Sequence, residues 1–478
     1  MTKRSNLIDG EWTDAESGDT FDTYDPASPD EVVGTYPESA AADAERAVEA
    51  AAAATEEWGS TPGPKRGRIL SRASSILADR KGELAELLVR EEGKTEREAG
   101  GEVQRAIDIF DYYGSKARDI GGKVKGASGA DTVLRTKQEP VGVAALITPW
   151  NYPVAIPAWK IAPALAAGTT AVIKPATLAP GCTHAIAEAL DEAGLPDGAL
   201  NVVTGPGSEV GDTIASHDAV DAVSFTGSTG VGNAVYDTAT ADGKRVQLEM
   251  GGKNPTIVSD AADVGTAARI ASWGAFGVTG QACTATSRAI VYEDVYDEFV
   301  DAIVEQADGI EPGDGLAGGD MGPQVTEDEL EGTLDYVEIG RTEGATLETG
   351  GEALEREGHF VEPTVFSDVD PDSRLAQEEI FGPVLSVIQV SGYEEALEVA
   401  NGVDYGLSAG IVTNDHHEAN SFVEDIDAGV VKVNQQTTGV ELHIPFGGMK
   451  ASSSETYREQ GEAGIDFYTI SKTVYDSY

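Results

Sequence analysis

Residues 141–147 read Val-Gly-Val-Ala-Ala-Leu-Ile, an apolar run stopped by Thr148-Pro149, and a helix-like stretch at 157–167 closes on Gly168. A second short apolar run, 170–173, follows at once, and then a helical segment, 180–193, closed by Gly194. The pattern repeats with apolar runs at 200–203, 222–225 and 245–248, separated by helical segments near 208–216 and after Ser228. Short apolar strands alternating with helices predict a parallel sheet with crossover helices, a Rossmann-like α/β unit.

Upstream, Asp9-Gly10 is a turn signal between 6–8 and 11–13, so a hairpin is expected there. Residues 40–118 read as helices: Ala-rich at 40–56, amphipathic at 66–91 and again at 94–117. Downstream, a second α/β pattern occupies 252–450. It has a strand at 256–258, a helix at 263–276, a strand at 289–292, a helix at 295–308, and strands near 384–390 and 408–413. Residues 465–474 read as one more strand. With 123–136, that strand has no place in either unit and suits pairing across a subunit boundary. The expected division is therefore 1–120 with 141–251, then 252–451, with 121–140 and 465–478 forming a small β arm.

The chain has 478 residues, with 83 Asp+Glu against 33 Lys+Arg and a formal net charge of −50. The acids are scattered (Glu38, Asp43, Glu45, Glu56, Glu57, and the cluster Glu327, Asp328, Glu329) rather than gathered in a tail. A surface adapted to high salt accounts for this, because screening over about 3 Å at 1 M relieves the self-repulsion. An acidic protein of ordinary salt is the alternative. Nucleic-acid binding is not expected without clustered cations, nor is a membrane span. The two cysteines, Cys182 and Cys283, fit a reducing compartment, and the N-terminus has no signal-peptide core, so a cytoplasmic location is expected.

Four segments carry chemistry. Residues 277–283, Gly-Val-Thr-Gly-Gln-Ala-Cys, set Cys283 in a Gly-rich turn before what reads as a helix-capable run. Backbone amides there can stabilise a thiolate and then an oxyanion, although a buried structural cysteine is the commoner use. Cys182 is read as structural. Residues 248–252, Leu-Glu-Met-Gly-Gly, put Glu249 at a strand end, where α/β folds place ligand sites; a solvated surface Glu is an equal reading. Residues 148–153, Thr-Pro-Trp-Asn-Tyr-Pro, offer the Asn151 amide beside a rigid turn, or simply a turn. Residues 225–232, Phe-Thr-Gly-Ser-Thr-Gly-Val-Gly, lead a strand into a Gly-rich helix start suited to a pyrophosphate, without a true G-x-G-x-x-G.

In order and spacing these segments resemble the aldehyde dehydrogenase superfamily over essentially the whole chain. Ile-Lys-Pro-Ala at 173–176, Glu-Ile-Phe-Gly-Pro at 379–383 and Pro-Phe-Gly-Gly-Met-Lys at 445–450 add to the match. The resemblance implies a Rossmann-like cofactor domain, an α/β catalytic domain and a β oligomerisation arm, in a homodimer or homotetramer. It implies that Cys283 attacks the aldehyde while the Asn151 side chain and the Cys283 amide hold the oxyanion. Hydride then passes to the nicotinamide, and water cleaves the thioester with Glu249 as base. CoA-acylating relatives commonly lack that base, so Glu249 favours a free acid as product.

For NADP or NAD, the resemblance implies Lys174 on the adenine ribose, Ser228 on the pyrophosphate and Glu379 on the nicotinamide ribose, with Phe381 nearby. Thr148, Trp150, Gly207, Phe225, Gly227 and Val231 complete that expected site. Thr177 stands where many NAD-preferring relatives carry Glu, so a 2′-phosphate is not repelled and Lys174 can pair with it. No metal enters this reading.

Within the superfamily the chain most resembles the branch that oxidises 2,5-dioxopentanoate (α-ketoglutarate semialdehyde) in pentose degradation. The likeness lies in 277–288, in 157–165 and in Lys-Ala-Ser-Ser-Ser at 450–454, where many relatives have a Lys-x-Ser-Gly pattern. A substrate carboxylate needs a cation, and Arg105 falls where the family's substrate-tunnel helix faces the pocket; an exposed helical Arg is the alternative. Tyr152, Trp159 and His443 are the other substrate candidates, or mere packing. Some members of the branch carry Arg where this chain has Trp159. Succinic semialdehyde dehydrogenases have Arg six residues before the nucleophile, where this chain has Gly277. A broad-specificity, succinic semialdehyde or betaine aldehyde dehydrogenase is the alternative within the class. A non-enzymic binding or structural relative is the alternative outside it, and a packing role requires none of Cys283, Glu249, Asn151 or Lys174. The charge balance predicts that activity and melting temperature both rise with molar KCl; an enzyme indifferent to salt contradicts the salt-adapted reading.

Overall fold

The computed structural model describes residues 2–478. The alternating region forms the first seven-stranded sheet. Its order is Arg245–Glu249, Ala222–Thr226, Val143–Ile147, Thr170–Lys174, Leu200–Val202, Asn6–Ile8, Glu11–Thr13. The first five strands are parallel. Four of them, from 143–147 through 222–226, are buried along their whole length, as expected of strands covered on both faces. The expected hairpin is present and antiparallel, joining the sheet edge at Leu7 opposite Val202. Asp9 and Gly10 both take positive φ (53° and 75°), as a tight two-residue turn requires.

Apolar clusters cover both faces of this sheet. Helices Gly63–Asp79, Lys81–Glu92, Glu96–Lys116, Ala155–Ala167 and Gly181–Glu192 pack on one face. Helices Ala41–Ser60 and Thr229–Ala241 pack on the other. The single helix expected at 66–91 is two, broken at Arg80 (φ −100°, ψ 9°). Helical periodicity continues on both sides of the break, so no apolar pattern marks it.

The second sheet orders Thr346–Thr349, Thr364–Ser367, Val384–Val390, Thr286–Tyr292, Asn254–Val258, Ser408–Val412 and Val430–Val433. Only its Thr346–Thr349 edge is antiparallel. Two segments unplaced by the sequence pair with each other within this chain: Thr469–Ser477 runs antiparallel to Thr132–Pro140, which also pairs with Val124–Gly126. The tail strand begins later than expected, because Gly461–Phe467 is a helix. A small sheet of Thr2–Lys3, Ser28–Pro37 and Thr20–Asp25 was not anticipated. Among the described residues no helix is long and apolar enough to cross a membrane.

In the first sheet the chain runs outward from 143–147 to 200–202, then returns to lay 222–226 on the opposite side. Such a reversal opens a crevice at the carboxyl ends of the two flanking strands. Thr148–Asn151 and Thr226–Ser228, two of the four segments singled out above, leave the sheet there.

Candidate active site

Cys283 stands on the wall of a cavity of about 1180 Å³, together with Arg105, Tyr152, Trp159 and Phe446. The run after Cys283 is not a helix but the strand Thr286–Tyr292; the preceding helix, Val264–Phe276, ends seven residues before it. Neither chain segment flanking Cys283 therefore gives the sulfur a helix N-terminus. The turn between is strained instead, with Val278, Thr279 and Gly280 all at positive φ (52°, 56° and 68°). Six side-chain bonds hold it, including Gln281 Nε2 to Pro323 O (3.2 Å) and one from Asn151. Val278 N donates to Glu98 Oε1 (2.7 Å) and the Thr279 hydroxyl to Gly322 O (3.1 Å). Gln281 Oε1 accepts from Val325 N (2.9 Å), and Asn254 Nδ2 donates to the Cys283 carbonyl (2.8 Å). Burial, and then the charges of Glu379 and Glu249, push the Cys283 thiol up to about 12.

Asn151 is buried and its Nδ2 donates to Gln281 O at 3.0 Å, two residues from the thiol. Its placement depends on a node not foreseen from the sequence. Lys94, fully buried, donates to the Asn151 carbonyl and pairs with Glu102 (3.0 Å) and Glu92 (3.3 Å). Glu102 Oε1 in turn accepts from Val154 N (2.8 Å) and Ala155 N (2.9 Å). Burial pulls the Lys94 ammonium down, but Glu102 and Glu92 more than offset it and hold it above its usual range. A legible signal adjoins it: Thr95-x-x-Glu98 is a capping box opening the helix Glu96–Lys116.

Glu249 ends its strand as expected, yet it lies off the cavity wall. Its Oε2 accepts from Gly448 N (3.0 Å) and its Oε1 lies 3.4 Å from the Ser453 hydroxyl. Burial, and then the charge of Glu459, raise its carboxyl well above the usual range. Glu459 forms a buried ion pair with Lys160, which also donates to Ser224 Oγ (2.7 Å). Lys160 is the lone cation in the wholly buried helix Ala155–Ala167, a signal the apolar pattern masked.

Most of the expected cofactor residues lie at or after the carboxyl ends of first-sheet strands, while Glu379 and Phe381 precede the strand Val384–Val390 of the second. Gly227 is required, because a Cβ there would lie 2.6 Å from the Phe225 ring. Ser228 opens Thr229–Ala241 without a side-chain cap, leaving first-turn amides available to a phosphate, and Val231 on that turn is exposed. Lys174 is buried, donates only to its neighbour's carbonyl (Pro175 O, 2.9 Å), and is pulled down to about 8 by burial. Glu379 Oε1 accepts from Gly252 N (2.9 Å), and burial raises its carboxyl to about 7. Trp150 and Phe381 meet edge-on at 5.5 Å, and the buried Thr148 hydroxyl has no partner. Gly207 begins a π-helical turn, and Thr177 is partly exposed. Orphaned donors, an uncapped helix start and a glycine-dependent approach fit a dinucleotide. Of the substrate candidates, Arg105, Tyr152 and Trp159 line the cavity; His443 does not, being exposed beside Glu441 (3.8 Å).

A strand-end cradle that fits a dinucleotide, beside a cavity bearing a thiol, is the architecture of an oxidoreductase. The chain belongs to the aldehyde dehydrogenase family, whose sequence profile matches residues 12–474. It is 63% identical to the alpha-ketoglutarate semialdehyde dehydrogenase of Haloferax volcanii, over 99% of both chains. It is 46% identical to the 2,5-dioxopentanoate dehydrogenase of Saccharolobus solfataricus, over 97% of both. The crystal structure of betaine aldehyde dehydrogenase from Staphylococcus aureus in complex with NAD+ matches with a TM-score of 0.96 at 35% identity, covering 99% of this chain and 94% of that one.

The Lys94→Met variant leaves Glu102 and Glu92 buried without their cation. A loss of about 3–5 kcal/mol is expected, read as a lower melting temperature together with slower NAD(P)H formation in the first turnover. Unchanged values for both contradict the bracing role.

Proposed function

We propose that this protein oxidises 2,5-dioxopentanoate to 2-oxoglutarate, a step of pentose degradation, with NADP or NAD as acceptor. The observation that carries the reaction class is the strained, side-chain-braced turn presenting Cys283 to the cavity, with the Asn151 amide bonded to the same turn. The substrate rests on the likeness to the Haloferax volcanii and Saccharolobus solfataricus enzymes.

The Cys283 thiol gives its proton to water in the cavity it lines, and the thiolate forms a bond to the aldehyde carbon as the carbonyl π bond opens. The carbonyl oxygen becomes an oxyanion that takes hydrogen bonds from Asn151 Nδ2–H and the Cys283 N–H. Bound NAD(P)+ supplies the acceptor for the hydride that leaves this carbon. Lys174, Ser228 and Glu379 are the residues that hold it, with Thr148, Trp150, Thr177, Gly207, Phe225, Gly227, Val231 and Phe381 around them. Thr177 leaves room for a 2′-phosphate beside the Lys174 ammonium. Glu249, on leaving the Gly448 amide, takes a proton from water at its carboxylate; the water oxygen attacks the thioester carbon and the Cys283 thiolate departs. A carboxyl whose proton affinity is raised by burial and by Glu459 is a stronger base once ionised.

Residues 1–120 and 141–251 serve as the NAD(P)-binding domain and 252–451 as the catalytic domain. Residues 121–140 and 465–478 serve as an oligomerisation arm of a homodimer or homotetramer, supported by exposed Val124, Ile470 and Tyr475. The enzyme works in the cytoplasm of a salt-adapted cell, a reading supported by the net charge of −50.

Replacing Glu249 with Gln is expected to preserve a stoichiometric burst of NAD(P)H while lowering steady-state turnover about 100-fold or more. Undiminished turnover removes Glu249 from the mechanism.

A further inference from the structure

We infer that Thr437 is a positioning residue for the attack on the aldehyde: its buried hydroxyl aims the Cys283 N–H at the oxyanion and fixes a cavity wall against the sulfur. This role rests on the reading of Cys283 as nucleophile and of its N–H as an oxyanion donor. Thr437 is fully buried in the loop after the strand Val430–Val433, between Gln436 and Thr438, both of which line the cavity. Its hydroxyl donates at 2.7 Å to the carbonyl of Thr284, the residue next to Cys283. A hydroxyl has one proton, so in the 2.8 Å contact between the two hydroxyls Thr286 donates to Thr437. Thr286 is itself backed by Gly274, where a Cβ would lie 2.1 Å from its hydroxyl oxygen.

The bond to Thr284 belongs to a closed clamp. Asn254 Nδ2 donates to the carbonyls on either side, Cys283 O (2.8 Å) and Ala285 O (2.9 Å). Asn254 Oδ1 accepts from Ser408 N (2.9 Å), and the Ser408 hydroxyl donates to Thr437 O (2.8 Å). Asn254, Ser408 and Thr437 are all buried. Three successive carbonyls, 283 to 285, are thus each taken by a buried side chain, and Ser408 ties the two donors together.

With those carbonyls fixed, Ala285 N reaches back to Ala282 O at 2.9 Å. The peptide between Ala282 and Cys283 is trans, so the Cys283 N–H faces away from that carbonyl. Among the described residues this N–H donates to no other residue, and Cys283 stands on the cavity wall. A backbone donor left free beside the thiol, in a segment whose carbonyls are all engaged, is preorganised for negative charge. Without the Thr437 hydroxyl the middle carbonyl, Thr284 O, loses its buried donor, and its peptide planes turn to recover one. That turn tilts the Cys283 N–H and, through Gln436 and Thr438, shifts the wall against which the aldehyde rests.

The test makes two measurements in molar KCl on wild type, Thr437→Val, Thr437→Ser and Ser408→Ala. One is the rate of the first-turnover NAD(P)H burst at saturating 2,5-dioxopentanoate and cofactor. The other is the rate of Cys283 alkylation by iodoacetamide, which needs the thiolate but forms no oxyanion; Cys182 is buried out of its reach. Thr437→Val is expected to slow the burst about 10-fold, less than the roughly 100-fold cost of losing an oxyanion donor outright, and to change alkylation by less than about 2-fold. Thr437→Ser restores the burst to within about 2-fold of wild type, because the donor is kept. Ser408→Ala, which removes only the bond to the Thr437 carbonyl, shows the same selective slowing at about 3-fold and tests the clamp even if Thr437→Val does not fold. A wild-type burst rate in Thr437→Val, equal slowing of burst and alkylation, or no recovery in Thr437→Ser overturns the positioning role while leaving the nucleophile intact. A wild-type enzyme that keeps its burst after Cys283 is alkylated overturns the reading of Cys283 itself.

Discussion

The ammonium of Lys94 has no access to solvent and sits between the carboxylates of Glu102 and Glu92, with the Asn151 carbonyl as a further partner. Burying an ion costs several kcal/mol unless it is paired and hydrogen-bonded. Here the pairing also organises backbone: Glu102 gathers two consecutive amides, Val154 and Ala155, at the start of the helix Ala155–Ala167. One turn away, Glu98 closes the capping box with one oxygen and holds the Val278 amide with the other. The opening of the helix Glu96–Lys116 thereby ties the loop after the strand Val143–Ile147 of the first sheet to the cysteine turn beside the second. This shared anchor acts together with the Asn151–Gln281 bond and the other contacts of the turn to set how the Asn151 amide and the Cys283 sulfur face one another.

Charge around the thiol follows from the same economy of cations. Glu379, Glu249 and Glu459 all act on Cys283 to disfavour the thiolate, adding to the effect of burial. Burial and these carboxylates hold the thiol above its usual range, so attack requires that its proton leave first. Glu249 is held away from that proton by the Gly448 amide and the Ser453 hydroxyl. Ser453 lies in the Ser-Ser-Ser stretch where the sequence departs from the Lys-x-Ser-Gly pattern, so that departure gives Glu249 an additional donor.

Much of the fold was legible because its strands are short, apolar and separated by glycine-capped helices. Gly168 and Gly194 end their helices at positive φ, and the expected strands at 170–173, 222–225 and 245–248 match within a residue or two. The tail was misread where Ile465 and Phe467 face the core from a short helix, a periodicity too brief to separate from a strand. The run after Cys283 was misread because 284–292 mixes Ala, Ser and Arg with Thr, Ile, Val and Tyr and suits either state; burial on both faces of the second sheet decides for a strand. The site itself was legible where chemistry follows the chain, as in Phe225 to Ser228. It was not legible where contacts join residues distant in sequence: Lys94 with Asn151, Lys160 with Glu459, Arg105 with Gln460. His443 shows the reverse, a plausible side chain that the fold leaves exposed.

The claim on which the rest depends is that Cys283, and not Cys182, carries the acyl group. Cys182 is fully buried with its thiol raised well above the usual range, by burial and by Glu91. The direct measurement is acid quenching of enzyme, 2,5-dioxopentanoate and cofactor within the first turnover, followed by mass spectrometry of the peptides. A mass increment of one acyl group on the peptide bearing Cys283, absent without cofactor, is the predicted result. An increment on the peptide bearing Cys182, or no covalent acyl-enzyme while NAD(P)H accumulates, contradicts it.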